Sequence, residues 1–236
     1  MNFDMNKYQD IGIWDMLTKR LLWEHLEFLK GSRILDFGSG YGVTADYLAA
    51  NNQVTAVEPS AEMAAHTMKE NDYLQLQGSQ EILEQFPEHC FDAVICHNVL
   101  EYIEDKENAV KEFCRVLKPG GYFSLVKHNR VGRVMQMVVL LNNFEHAHEL
   151  LDGENGVSPQ YGNIRYYVDE DVTKWCTDLK LVKSYGLRTF WDLQQNQEMQ
   201  GDKDWQEKML EVERRVSQID EYFGVAFLHH LIYRVN

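Results

Sequence analysis

Two hydrophobic rhythms alternate along the chain. Over the first thirty residues, Ile13, Trp14, Leu17, Leu21, Leu22, Leu26 and Leu29 recur at spacings near three and four. That is the period of an amphipathic helix, or of a helix pair, whose apolar face would cap a domain. Gly31 breaks the period, and Arg33, Ile34, Leu35, Asp36 and Phe37 read as a short buried strand running into glycines. The pattern then predicts helix over 43–50, strand over 53–57, helix over 60–70, and strands over 73–77 and 91–97. A helix over 106–117 follows, then a turn at Lys118, Pro119, Gly120 and Gly121, then a strand over 122–127. Strand and helix in regular alternation predict an α/β fold with a parallel sheet.

Residues 131–168 leave this rhythm, with an apolar helix around 134–141 and a polar, glycine-containing loop through 152–162. Segments of that kind inserted into a regular fold usually carry specificity. Helix over 169–179, strand over 181–188, a charged helix near 203–216 and a last strand over 225–235 complete the chain. With 236 residues and 44% hydrophobic composition, one elaborated domain is expected. Its parts would be a helical cap over 1–30, a core over 31–130, a substrate-side insertion over 131–168 and the rest of the sheet over 169–236.

Charge narrows the partners. Thirty-seven acidic against 23 basic residues give a formal net charge of −14, which on average repels nucleic acid and anionic membranes. Cys90, Cys96, Cys114 and Cys176 are widely spaced with no CxxC pair, so neither a disulfide framework nor a metal site is expected. No charged-then-apolar leader opens the sequence, and no apolar run approaches the roughly 18 residues of a membrane span. A soluble, cytoplasmic protein is the expectation.

The chemistry is concentrated in ILDFGSGYG, residues 34–42. A strand that ends in Gly38, Gly40 and Gly42 before a helix lets the backbone approach a ligand closely, with the helix amino terminus facing it. The spacing is GxGxG followed by Val43, so the last glycine of the dinucleotide fingerprint GxGxxG is absent. Glu58 closes the second predicted strand, where a carboxylate can accept bonds from both hydroxyls of a ribose.

ILDFGSGYG, VTAVEPS, FDAVICHNVLEYIED and VLKPGGYFSL resemble the successive motifs of class I methyltransferases over residues 33–127. The resemblance implies a Rossmann-like, mostly parallel seven-stranded sheet with flanking helices and a reversed last strand. S-adenosylmethionine would lie across the carboxyl ends of its first, second and fourth strands. Asp36 and the loop of Gly38, Ser39 and Gly40 would surround the methionine part, Glu58 the ribose, and Ser79 and Gln80 the adenine edge, with Ile82 and Leu83 against its face. Ser79 departs from the family, which usually has an acid there. His97 matches the position beside the methionine chain and the bound methyl group, through its side chain or through its backbone carbonyl alone.

Methyl transfer from a sulfonium is an in-line displacement, so the enzyme's main task is to hold the acceptor at attack distance away from water. A phenol or alcohol wants a base, for which His97, His128 and Glu101 are candidates, whereas a carboxylate is already ionised. The second half resembles the methyltransferases that esterify the carboxymethoxy group on tRNA wobble uridine, notably at Asn129, Asn143, Phe144, Ser158, Pro159 and Tyr161. It does so again at Gly186, Leu187, Arg188, Phe190, Asp192, Glu213, Tyr222 and His230. Asn129, Tyr161 and Arg188 would then meet the substrate, and Arg188 could orient a carboxylate or phosphate with its planar fork.

Three departures weigh against transferring that activity. Asp152, Gly153, Glu154 and Asn155 stand where the family has a lysine-rich stretch, although phosphate binding needs positive charge. Thr18 and Phe227 each stand where it has an arginine. A small, partly apolar acceptor between Trp14, Trp23, Phe144, Tyr161, Tyr166, Tyr167 and Trp191 is the alternative. A nicotinamide-dependent oxidoreductase and a catalytically silent nucleotide-binding module are readings from other classes.

Overall fold

The computed structural model describes residues 12–158 and 161–236, except the side chains of Ile13, Trp14 and Gln197. The expected pocket residue Trp14 and the motif residue Pro159 therefore lie outside what is described. A seven-stranded sheet forms the centre, built from β1 (Arg33–Phe37), β2 (Gln53–Glu58), β3 (Leu74–Gln77), β4 (Phe91–His97), β5 (Leu117–His128), β8 (Leu179–Leu187) and β9 (Leu228–Val235). Their order across the sheet is β3-β2-β1-β4-β5-β9-β8. All neighbours from β3 to β5 run parallel, while β9 lies antiparallel to both β5 and β8. This is the expected Rossmann-like architecture with its reversed last strand.

Helices α1 (Ile13–His25), α2 (Val43–Ala49) and α8 (Lys203–Val216) share one set of apolar clusters with the sheet, through Leu17, Leu21, Leu22, Ala45, Leu48 and Leu210. Helices α4 (Lys106–Val116) and α7 (Asp169–Trp175) belong to the other, through Val110, Phe113, Val116 and Val172. Alternation along the strands explains both: Val94 and Cys96 join one cluster, Ala93 and Ile95 the other. Burial of β4 on both faces produces its nearly continuous apolar sequence.

Several boundaries differ from the sequence expectation. The helix expected over 60–70 shrinks to α3 (Ala61–Ala65), because the Met68 N–H bonds to the Tyr41 carbonyl at 2.9 Å instead of continuing the helix. The turn expected over 118–121 becomes an excursion inside β5, whose pairing jumps from Phe91 with Leu117 to Ala93 with Tyr122. Among the described residues, the cap is one helix that ends at His25. Helix α7 stops at Trp175, where the Leu179 N–H turns back to the Cys176 carbonyl and opens β8.

Between β5 and α7 the polar loop acquires structure: α5 (Arg130–Val139), α6 (Phe144–Leu151) and a hairpin of β6 (Gly156–Ser158) with β7 (Gly162–Ile164). A short helix α9 (Asp220–Phe223) precedes β9 and delays its start to Leu228. Among the described residues, no helix is long and apolar enough to cross a membrane.

Candidate active site

The glycine run leaves β1 and doubles back over the sheet's carboxyl edge. Gly40 has a φ of +56°, and a Cβ there would meet nothing within 4 Å, so that side of the residue faces open space. Gly42 has a φ of +73° at the amino cap of α2, and a Cβ there would fall 2.1 Å from the Tyr73 hydroxyl. Glycine is thus required at Gly42 by packing and strain, and at Gly40 by backbone conformation beside an unfilled space. Glu58, 6% exposed, braces this loop: its carboxylate accepts from the Gly40 N–H at 2.8 Å and from the Ser60 N–H at 2.9 Å. A carboxylate has about four acceptor positions, so those two bonds leave capacity for ribose hydroxyls.

Asp36 lies 3% exposed at the end of β1, and its Oδ2 has no partner among the described residues. Burial pushes its carboxyl up to about 6, against the attraction of Lys19 and with the repulsion of Glu58. A buried, unpartnered carboxylate oxygen beside the glycine loop suits an incoming ammonium group. Lys19 of α1 donates to the Thr44 hydroxyl at 2.7 Å, and burial lowers its pKa while Asp36 raises it. No sequence motif marks Lys19 as a site residue. Its place one residue after Thr18 is the available signal, and the helix phase turns Lys19 toward Asp36.

His97, at the end of β4, is held from behind. Its Nε2 is 2.9 Å from the Ser124 hydroxyl, which is 2.8 Å from Nε2 of His230, whose Nδ1 is 3.0 Å from Nδ1 of His25. Burial pushes His97 and His230 well below the ordinary histidine range and His25 down to about 4, so all three imidazoles are neutral at pH 7. Only concerted proton placements satisfy such a chain, which fixes the ring of His97 and leaves its buried Nδ1 without a partner. Ser124 does not stand out in the sequence, because it lies inside an apolar strand. Strand parity carries the signal, since Ile95 pairs with Ser124 and His97 with Val126, placing the two polar residues on one face.

At the expected adenine end, Ser79 caps the short 3-10 helix Gln80–Gln85 and donates from its hydroxyl to Glu81 at 2.8 Å. A carboxylate, that of Glu81, therefore stands beside Ser79. Ile82 and Leu83 are both buried there.

On the acceptor side, Glu101 is 1% exposed and accepts from both the backbone N–H and Nδ1 of His128, so the two base candidates occupy each other. Arg188 has a φ of +60°, an uncommon conformation for a non-glycine residue, and donates through Nε and Nη2 to Asp192 Oδ1 at 3.0 and 2.8 Å. Asn129 spends its amide on the backbone, donating to Gly224 O and Ala226 O and accepting from Val131 N–H. That makes it a brace for α5 instead of a free donor. Tyr161 is 54% exposed, with its ring 5.6 Å from that of Tyr102.

Among the described residues, the expected aromatic pocket does not assemble. Trp23 is stacked on Tyr47 at 4.0 Å, Trp191 packs with Trp205 at 4.9 Å, Tyr167 is partly buried beneath Lys127, and Phe144 is 56% exposed. An open cleft bordered by Arg33, Gln53 and Phe91 lies at the strands' amino-terminal ends, and Asp36, Glu58 and His97 do not line it.

The unpartnered Asp36 and His97 atoms and the space before Gly40 fit the methionine part of S-adenosylmethionine, and Glu58 fits its ribose. Residues 35–125 match the family model described as a methyltransferase domain. The chain is 26% identical to the tRNA 5-carboxymethoxyuridine methyltransferase of Escherichia coli K12, over 92% of this chain and 88% of that protein. It is 31% identical to the ubiquinone biosynthesis O-methyltransferase of Paracidovorax citrulli, over 50% of this chain and 54% of that one. In fold it is similar to an S-adenosylmethionine-dependent methyltransferase from Mesorhizobium loti, with TM-score 0.61 and 13% identity, over 94% and 100% of the two chains. Residues 35–125 thus form a methyltransferase domain, and the sheet that carries them has the fold of the S-adenosylmethionine-dependent methyltransferases.

Proposed function

We propose that the chain methylates a carboxylate, of the kind carried by 5-carboxymethoxyuridine in tRNA, to a methyl ester. The observation that carries this reading is Arg188, held in a left-handed backbone conformation and aimed by a buried carboxylate, Asp192, that is 1% exposed. The similarity to the E. coli carboxymethoxyuridine methyltransferase along nearly the whole chain supports it. S-adenosylmethionine supplies an electrophilic methyl group. A carboxylate oxygen attacks that carbon, the C–S bond breaks with its electrons going to sulfur, and ester and S-adenosylhomocysteine result.

No proton leaves the acceptor in this reaction. That agrees with a site in which His128 and Glu101 are bonded to each other and His97 is neutral. Asp36, Glu58 and the loop of Gly38, Ser39 and Gly40 hold the donor, with Ser79 and Gln80 at its adenine end. His97 stands beside the methyl group, Arg188 turns the acceptor, Tyr161 covers it, and Asn129 fixes the helix that borders it.

The test is nucleoside analysis of tRNA from a strain lacking this protein, which should accumulate unmethylated 5-carboxymethoxyuridine. Unchanged tRNA would move the acceptor to a small molecule, the reading that the acidic segment 152–155 and the ubiquinone O-methyltransferase likeness favour.

A further inference from the structure

Three polar side chains line up across the sheet. His97 of β4, Ser124 of β5 and His230 of β9 stand on one face of three neighbouring strands, since His97 and His230 both pair with Val126, two residues beyond Ser124. Their contacts run without a gap, 2.9 Å from His97 Nε2 to the Ser124 hydroxyl and 2.8 Å from there to His230 Nε2. His25, at the end of α1, closes the line with its Nδ1 3.0 Å from Nδ1 of His230. One end, His97 Nδ1, is buried and unpartnered at the carboxyl edge of the sheet. The other end, His25, is half-buried and stacked on Tyr185 at 3.7 Å, with the exposed Glu24, Lys183 and Arg214 within electrostatic reach.

Burial keeps all three rings neutral, so a proton that enters at one end leaves at the other and is not stored between them. Ser124 and each neutral imidazole have one proton to give, so only two donor orders satisfy every link. In the first, His97 donates from Nε2 to Ser124, Ser124 donates to His230 Nε2, and His230 donates from Nδ1 to His25. That order leaves His97 Nδ1 bare and a proton on His25 Nε2, and the second order is its reverse. Charge favours the first. The Lys19 ammonium acts on His97, where it stabilises a bare nitrogen. Glu24 acts on His25, where it stabilises an N–H, while Lys183 and Arg214 each act less strongly the other way. A carboxylate acceptor brings no proton and has no use for such a path.

We infer that His97, Ser124, His230 and His25 form a proton path from the methyl-transfer site to the surface, and that the site thereby also takes a neutral hydroxyl acceptor of the phenol class. The inference goes beyond the carboxylate reading and shares with it only the place of His97 beside the methyl group. The hydroxyl oxygen bonds to the methyl carbon, the C–S bond breaks with its electrons going to sulfur, and the hydroxyl proton passes to His97 Nδ1. His97 gives its Nε2 proton to Ser124, Ser124 its own to His230 Nε2, His230 its Nδ1 proton to His25 Nδ1, and His25 its Nε2 proton to water. Methyl ether, S-adenosylhomocysteine and one solvated proton result. Once product leaves, a proton entering at His25 Nε2 and one leaving His97 Nδ1 to water restore the first order.

Methyl transfer to catechol, with phenoxyacetate as the acceptor that has no proton to lose, tests this in the full chain. Wild type should methylate catechol. Ser124→Ala and His25→Ala should lower kcat for catechol about a hundredfold with KM unchanged, and Ser124→Thr, which keeps the hydroxyl, should stay near wild type. Added 4-methylimidazole, which has two ring nitrogens free to pass a proton, should restore His25→Ala, whereas 1-methylimidazole, of the same size, should not. Independently of activity, 15N spectra of histidine-labelled protein should show the protons on His97 Nε2, His230 Nδ1 and His25 Nε2. Wild type that leaves catechol unmethylated, unchanged kcat in both alanine variants, or the reverse proton order overturns the inference. Equal rescue by the two methylimidazoles, or equal losses with catechol and phenoxyacetate, shows a chain that only holds the His97 ring and overturns it too. If Ser124→Ala does not fold, His25→Ala and its rescue decide. Catechol methylation through this path beside unchanged tRNA in the deletion strain keeps the path and rejects the carboxymethoxyuridine acceptor.

Discussion

Lys19 reaches from the cap helix to donate to the Thr44 hydroxyl at 2.7 Å, joining α1 to the first turn of the helix that follows the glycine loop. The bond puts a buried ammonium within the electrostatic reach of Asp36. A donor with both a carboxylate and an ammonium on its methionine end would meet a cation and an anion there. Lys19→Met is therefore expected to weaken S-adenosylmethionine and S-adenosylhomocysteine by about 1–3 kcal/mol. Methylthioadenosine, which lacks the amino-acid end, should bind unchanged. Calorimetry with the three ligands decides it, and equal losses for all three would remove Lys19 from the donor site.

Asp36 costs the cofactor-free protein stability in exchange for binding. Its carboxyl is raised from 3.8 to about 6 by burial, so between those values the folded chain holds a proton that the unfolded chain has lost. The stability lent by the neutral acid is full below about 4 and disappears as the pH rises through 6. Asp36→Asn should consequently raise the stability of cofactor-free protein above pH 6, by an amount on the order of 3 kcal/mol, and leave it unchanged below pH 4. The same variant should bind S-adenosylmethionine poorly at every pH. Urea midpoints across pH 4 to 8 provide the check, and a pH-independent difference would contradict the assignment.

The chain of His97, Ser124, His230 and His25 makes the opposite contribution. Each imidazole is depressed by burial, His25 to about 4, so below its ordinary 6.5 the unfolded chain binds protons that the folded chain refuses. Stability rises with pH across that interval and is lost as the pH falls. Acid unfolding should steepen below pH 6.5 and become shallower in a His25→Gln, His230→Gln double variant. Identical pH slopes in the two proteins would mean that the histidines titrate freely.

Much of the proposed donor site is legible in the sequence because it is local there. The glycine run, Asp36 and Glu58 belong to strand ends that apolar patterning marks clearly, whereas Glu81, two residues after Ser79, is not marked by any pattern. The acceptor side is less legible because it is assembled from distant segments. Phe227 reads as a lost arginine, yet Arg133 comes over its ring from α5, by way of a contact that only Gly132 allows. Thr18 reads as a lost cation too, and Lys19 stands beside Asp36. The aromatic residues mislead for a related reason: period alone does not distinguish Trp23 in the core from Tyr161 at the surface. The helix expected over 60–70 fails through one tertiary bond, from Met68 N–H to Tyr41 O.

Gly40 and Glu58 separate loop stability from donor recognition. A Cβ at Gly40 would meet no atom of the described residues within 4 Å, so Gly40→Ala costs only the left-handed strain at φ +56°, about 1–2 kcal/mol. Its methyl group would project into the space assigned to the donor, so the loss in S-adenosylmethionine affinity should exceed the loss in stability. Glu58→Ala should do both kinds of damage at once. It removes the acceptor for the Gly40 and Ser60 N–H groups, as well as the bonds to ribose, which are worth roughly 1–3 kcal/mol. Measuring urea midpoints and donor affinity for both variants places them apart: Gly40→Ala should fall mainly on binding, and Glu58→Ala on both axes. If Gly40→Ala binds S-adenosylmethionine as wild type does, the donor lies elsewhere and the space before Gly40 is only a feature of the turn.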